Sequence, residues 1–217
     1  MADEKQAGLY NLTETVVLTF PNLHEARAFG PKGKESGTPK FSGNFSFEPD
    51  SADLKAMKQL CARLAKARWP GRDLKELQFP FSSGDKLADE GKKKKKDREF
   101  YRGKVVMAAR SQFEPRLSGI ENGTLVEYEG DVRKAAKGKF YPGVLVLSQV
   151  NFVPYDGVGK NPDGVTAYLN MVLTTGKGVR LSTGQSAAEV FKGYVGSASA
   201  EDPTAGGAAA EDDEIPF

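Results

Sequence analysis

Apolar and polar positions alternate cleanly in several parts of this chain. Across residues 14–20, Val16, Leu18 and Phe20 fall on one side of an extended segment and Thr15, Val17 and Thr19 on the other. That period of two predicts a strand, which Pro21 should end. Residues 40–47 repeat the pattern, with Phe41, Gly43, Phe45 and Phe47 opposite Lys40, Ser42, Asn44 and Ser46, so a second strand with one aromatic face is expected. Residues 30–39, with three Gly and two Pro, read as the loop between them.

After Pro49-Asp50 the period becomes helical. Leu54, Met57, Cys61 and Leu64 form an apolar stripe, with Asp50 or Ser51 as N-cap and Trp69-Pro70-Gly71 as the stop. Lys55, Lys58, Arg63, Lys66 and Arg68 decorate the other side, as on a solvated helix. Cys61 falls on the stripe and reads as core, and Trp69 as a ring that packs the helix end. Residues 82–99 contain the unbroken run Lys92 to Lys96, whose mutual repulsion predicts a mobile lysine-rich loop. Residues 101–109, 123–129, 143–153 and 165–174 read as four further strands, and residues 185–194 as a short helix.

Six strands with one helix between the second and third predict a mainly β domain over residues 1–195. The expected architecture is a five-stranded OB-fold-like antiparallel barrel with one inserted amphipathic helix and long loops. Residues 196–210 are Gly, Ser, Ala and Pro with almost no large apolar side chain, the composition of a flexible linker. A disordered acidic C-terminal tail is expected, ending in a distinct tip at residues 211–217.

Charge sharpens this division. The 217 residues carry 31 Lys and Arg against 29 Asp and Glu, yet residues 201–217 hold six of the acids and no base, which leaves the body at +8. A basic body joined to an acidic end suits a polyanion-binding surface with a tail that competes for it or recruits a partner. In the tip, Asp212, Asp213 and Glu214 precede Ile215, Pro216 and Phe217. A partner offering an apolar pocket for Phe217, a cation for its carboxylate and a basic rim for the acids would capture it.

One Cys and one His exclude an internal disulfide, a zinc site and a Cys/His nucleophile pair. No cofactor, no metal and no enzymatic activity are expected. A magnesium-dependent nuclease built on Glu127, Glu129 and Asp131 with Lys137 or Lys139 is the weaker alternative, because the acid spacing of such sites is not evident. Gly157-Val158-Gly159-Lys160 lacks phosphate-loop spacing and reads as a hairpin turn. No run approaches 18 apolar residues, and Met1-Ala2-Asp3-Glu4-Lys5 lacks the plan of a secretory signal, so no membrane contact and a cytoplasmic location are expected.

Binding a single strand without regard to sequence needs cations that follow the backbone and exposed rings on which bases stack. Tyr155, Tyr141 and Tyr101 are the leading stacking candidates because they border Gly, Pro or basic residues at strand ends; Phe152, Phe100, Phe45 and Phe47 complete the set. Phosphate contacts are expected from Lys40, the run Lys92, Lys93, Lys94, Lys95 and Lys96, and Arg102, Lys137, Lys139 and Lys160. An RNA-binding OB-fold protein would share nearly all of these features.

Two stretches carry a resemblance. The ending from Asp212 to Phe217 resembles the acidic tip of bacterial single-stranded DNA-binding proteins. The body resembles the phage-encoded single-stranded DNA-binding proteins of an OB-fold family formerly classed as a domain of unknown function. The matching pieces are Leu18-Thr19-Phe20-Pro21-Asn22-Leu23-His24-Glu25-Ala26, the aromatic strand leading to Pro49-Asp50, Tyr101-Arg102-Gly103, Tyr141-Pro142-Gly143 with Val150-Asn151-Phe152, and Gly164-Val165-Thr166-Ala167-Tyr168-Leu169-Asn170. Val153-Pro154-Tyr155 is also similar to a step in podovirus helix-destabilising proteins, where the tyrosine stacks on a base. The resemblance implies a protein that coats single-stranded DNA in phage replication, recombination or repair, in the host cytoplasm. Its tip would dock replication, recombination or repair enzymes of phage or host. Self-association is left open.

Overall fold

The computed structural model describes residues 7–29, 36–94, 97–159 and 161–181. Its strands are β1 (Leu9–Asn11), β2 (Val16–Phe29), β3 (Ser36–Phe47), β4 (Phe81–Ser83), β5 (Val105–Ser111), β6 (Arg116–Glu121), β7 (Thr124–Tyr128), β8 (Val144–Tyr155) and β9 (Gly164–Gly178). Three helices accompany them among the described residues: α1 (Ala52–Arg68), α2 (Gly84–Lys93) and α3 (Gly130–Ala135).

Five strands close a barrel. Val17 faces Ser46 across β2 and β3, Phe45 faces Met107 across β3 and β5, and Ala109 meets Ala167 where β5 runs parallel to β9. Leu147 then faces Leu173 across β8 and β9, and Val16 faces Val146 where β8 returns to β2. This is the closed five-stranded barrel expected from the sequence, with one correction: the β5–β9 seam is parallel, so the barrel is mixed. Closure leaves β2, β3, β5, β8 and β9 each paired on both sides within the ring. The hairpin of β6 and β7 extends the sheet from β9, and β1 adds to β8.

The alternating pattern sends Leu18, Phe45, Phe47, Met107, Val146, Phe152 and Leu169 inward, where each is at most 1% exposed. Leu54, Met57 and Cys61 of α1 join the same core, and burial pushes the Cys61 thiol up to about 12. Ser51 caps α1, its hydroxyl accepting from the Leu54 N–H, and Trp69 ends it. Beneath the first turn, the buried Asp53 carboxylate accepts from Tyr10 Oη at 2.8 Å, Thr13 N at 2.8 Å, Thr13 Oγ1 at 2.8 Å and Glu14 N at 2.9 Å. The segment before β2 is thereby tied to the helix.

Two local expectations are corrected. Pro21 does not end its strand: Phe20 takes φ +47° and the register shifts between Thr19 and Asn22, so a bulge absorbs the proline and β2 runs on to Phe29. Residues 84–93, inside the segment expected to be a mobile loop, form α2. Asp85 lies in its first turn and Lys92 and Lys93 in its last, each sign favoured by the helix dipole, while Ala88 and Gly91 give it a small buried face. The strands β1, β4 and β6 were not anticipated; two have three residues each, and β6 carries Ser118-Gly119 where a run of branched side chains would announce a strand. The expected helix at residues 185–194, the linker and the tip lie outside the described residues.

Candidate nucleic-acid interface

The Phe20 bulge opens a groove of about 750 Å³ between the second half of β2 and the stretch from Lys137 to Pro142 that enters β8. A ring held half out of the core stands at each side. Phe20, 38% exposed, rests on Phe100 at 6.1 Å and Tyr101 at 6.4 Å between centroids, with the Arg98 guanidinium 5.5 Å from its ring. Opposite, half-buried Tyr141 donates its hydroxyl to Gly178 O at 3.2 Å and carries the Arg180 guanidinium 4.5 Å from its ring centroid.

Gly143 makes the second arrangement achievable. Its φ is +101°, and a Cβ there would come within 1.8 Å of Val179 O, so only glycine lets the chain cross this closely. Leu181 N donates to Pro142 O at 2.8 Å in the same crossing, which sets Arg180 over Tyr141.

The cations of the groove point to an anionic ligand. Arg27 and Lys40 are direct partners across β2 and β3, a like-charge opposition that destabilises the free protein and that phosphate would relieve. Among the described residues, Arg27 pairs only with the exposed Glu25 carboxylate, at 3.9 Å. Lys137 is exposed on the groove, and no ion pair with it is found among the described residues. His24 lies between, edge-on to Phe140 at 5.8 Å, with Nε2 enclosed and without a hydrogen-bond partner among the described residues. Burial, then the positive charges of Arg133 and Lys137, hold its imidazole below the ordinary value.

The sequence-predicted rings divide. Phe45, Phe47, Phe152 and Tyr101 are removed from the stacking set, because each is at most 1% exposed. The first three face inward by strand alternation. Tyr101 is pinned by its hydroxyl, 2.5 Å from Thr19 Oγ1 and accepting from Asn44 Nδ2 at 3.3 Å, so it supports the Phe20 cluster from beneath. Phe100 is half-buried, 4.5 Å from Tyr101. Tyr141 lines the groove. Tyr155 stands at the far end of β8, where its hydroxyl donates to Gln78 Oε1 at 3.0 Å; the contour between the two tyrosines is on the order of 40 Å. The structure therefore does not unite Tyr141 and Tyr155 in one pocket.

The phosphate candidates divide as well. Arg102 is withdrawn: Glu99 accepts from its Nε at 2.9 Å and Asp89 from its Nη1 at 3.1 Å, with Asp85 at 3.8 Å. Lys139 is engaged by Glu121 and by the Tyr128 ring, and Lys92 by Glu99 at 3.3 Å. Lys93 and Lys94 are exposed at the end of α2, while Lys95, Lys96 and Lys160 lie outside the described residues. Of the carboxylates weighed for a nuclease, Glu127 and Glu129 are exposed and Asp131 pairs with Lys134 at 2.9 Å; no metal-holding group of three or more acids, His or Cys occurs among the described residues. Sequence reasoning missed Phe20, His24, Arg27, Arg98 and Arg180. A signal existed for Phe20 in the adjoining Pro21, which has no N–H for a central ladder.

A closed mixed five-stranded barrel with a groove of half-exposed rings and an excess of cations among its described lining residues defines a protein of the OB class whose surface suits a polyanion carrying flat groups. The chain belongs to the family described as the single-stranded DNA-binding protein of Enterobacter phage Enc34, whose family model matches residues 11–204. Its structure is similar to that of the single-stranded DNA-binding protein from bacteriophage Enc34 in complex with single-stranded DNA, at 21% identity and a TM-score of 0.60, covering 82% of this chain and 91% of that one. The C-terminally truncated form of the same phage protein matches at 21% identity and a TM-score of 0.59, covering 81% and 90%. No curated protein gives a significant match.

Proposed function

We infer that this protein binds single-stranded DNA without sequence selection, in the groove between β2 and the entry to β8. Tyr141 and Phe20 offer faces to unpaired bases, and Arg27, Lys40, Lys137 and Arg180 neutralise phosphates. The observation that carries this reading is the Tyr141–Arg180 stack in the groove that Arg27 also lines, with Lys40 opposite Arg27 on the neighbouring strand: flat apolar faces beside an excess of positive charge are what a flexible polynucleotide satisfies. Family membership supports it. In this role the protein coats strands exposed in phage replication, recombination or repair in the host cytoplasm, and the tip from Asp212 to Phe217 recruits partner enzymes.

The test is fluorescence anisotropy of a labelled oligothymidylate against a duplex control over a salt series. The expected result is selective single-strand binding whose log K falls with log salt by about 0.7 per phosphate neutralised. Binding indifferent to salt, or equal binding of duplex, overturns the reading. A matched RNA oligonucleotide in the same assay decides the RNA alternative. Deleting residues 211–217 should preserve DNA binding and abolish co-purification of host replication or repair enzymes.

A further inference from the structure

A second surface carries the same chemistry away from the groove. The loop joining β5 to β6 holds Phe113 with 83% of its surface exposed, while its backbone and flanks are hydrogen-bonded. Phe113 N donates to Ser111 Oγ at 3.0 Å, and the Ser111 side chain belongs to a residue only 5% exposed. Arg133 of α3 braces the other side of the loop: Nη1 donates to Pro115 O at 2.8 Å and Nε pairs with Glu114 at 2.7 Å. A single exposed apolar residue on a surface is ordinary. One projected from a loop braced on both flanks is preorganised for contact.

What lies beside it identifies the ligand. Phe113 shares a cleft of about 440 Å³ with Tyr168 of β9, 41% exposed, and with Arg116 and the amides Asn151 and Asn170. Registers extend this set across the sheet. Ser42 faces Arg110, Ala109 meets Ala167 in parallel, and Tyr168 faces Asn151, so Arg110, Tyr168 and Asn151 form an outward row crossing β5, β9 and β8, with Ser42 of β3 on the same face but only 6% exposed. Asn22, which donates to Ser42 Oγ at 3.1 Å, begins the row on β2 beside the groove. Arg133 links the two surfaces physically, because its Nη2 donates to Leu23 O at 2.6 Å on the groove-lining stretch of β2. The carboxylate in the cleft, Glu114, is committed to Arg133, which leaves the cleft cationic.

We propose that the Phe113–Tyr168 cleft is a second base-stacking subsite for single-stranded nucleic acid, reached by a strand that leaves the Tyr141 groove and crosses the sheet along the Asn22–Asn151 row. Amides can bond base edges, the two rings can hold a base face, and the arginines meet the backbone. This rests on the single-strand reading of the groove and adds its extent and direction: the strand runs across β2, β3, β5 and β9 rather than ending at Tyr141.

The experiment measures the affinity of the full-length protein and of its Phe113→Ala, Tyr168→Ala and Tyr141→Ala variants for oligothymidylates from about 4 to about 16 nucleotides, the range of site sizes seen per OB-fold. Both Phe113 and Tyr168 are exposed enough that truncation empties no core, and thermal melting verifies folding. The expected result is that Tyr141→Ala weakens every length. Phe113→Ala and Tyr168→Ala should leave the shortest oligonucleotides unaffected and weaken the longest on the order of 5- to 150-fold. Photocrosslinking from a halogenated uracil placed along the long oligonucleotide should map to Phe113 or Tyr168 at one end only. If both variants bind every length as the parent does and no crosslink reaches them, the second subsite is refuted while the groove stands. If the parent binds no oligonucleotide, the groove reading falls first.

Discussion

Replacing Lys40 with Gln should move stability and binding in opposite directions. Lys40 and Arg27 oppose each other directly across β2 and β3. Like charges so placed cost about 0.2–1 kcal/mol. Glu25, 3.9 Å from Arg27 with both side chains mostly exposed, offsets little of that. The free variant is therefore expected to gain up to about 1 kcal/mol, a rise in Tm of no more than about 4 °C for a chain of this size. Binding loses one phosphate contact. The log-log salt slope should become shallower by about 0.7, and the affinity near roughly 0.1 M salt should fall about fivefold, the counterion-release contribution of one contact. Thermal melting of the free protein and anisotropy with an oligothymidylate over a salt series read the two quantities. A variant less stable than the parent, or one that binds with the parental slope, refutes the argument that this opposition is retained for a polyanion.

Tyr141→Ala is expected to weaken oligothymidylate binding by about 1–3 kcal/mol, with Tyr141→Phe near the parent, since the ring face and not the hydroxyl meets the base; equal binding by the folded Ala variant would remove Tyr141 from the site. Gly143→Ala should shift the residue 179–181 crossing off Pro142 and lower both affinity and stability, which anisotropy and melting would register together. Tyr101→Phe leaves Thr19 and Asn44 without their buried partner and should cost roughly 1–3 kcal/mol in urea unfolding while changing DNA affinity little. At Asp53, burial pushes the carboxyl up, but bonds from the Glu14 N–H, the Thr13 hydroxyl, the Tyr10 hydroxyl and the Thr13 N–H outweigh it and hold it below its ordinary value. Its stabilisation is thus present above the unfolded value near about 3.9 and is lost as pH falls through the lower folded value, so Asp53→Asn should destabilise at neutral pH and flatten the acid limb of the stability curve.

Secondary structure was legible where one periodicity ran long enough. The helix from Ala52 to Arg68 with its Ser51 cap, the aromatic strand ending at Phe47, and the strands around Val146 and Val172 announce themselves because burial of one face imposes a period on the residues. Residues 84–93 misled because a lysine run suggests repulsion, while Lys92 and Lys93 sit in the last turn of a helix whose first turn holds Asp85. Pro21 misled because a proline stops a strand only if no bulge takes up the missing bond.

The site was less legible, and the reason is geometric. A strand pattern states that Phe45, Phe47 and Phe152 share a face with apolar neighbours, but not whether that face is core or surface; closure of the barrel sent them inward. Whether Arg102 is an available cation depends on Glu99, Asp89 and Asp85, brought to it by a helix and a turn.

By itself, the sequence determined the kind of chemistry on offer: a mainly β body of net positive charge, rich in rings, with an acidic end and too few Cys and His for an internal disulfide, a zinc site or a Cys/His nucleophile pair. These are properties of composition and period, and no fold can alter them. Only the tertiary structure decided which rings and cations face a ligand, because exposure is set by which strands pair. The parallel seam of β5 on β9 pairs Ala109 with Ala167, and the crossing at Gly143 set Arg180 over Tyr141, juxtapositions of residues far apart in the chain that no local pattern encodes.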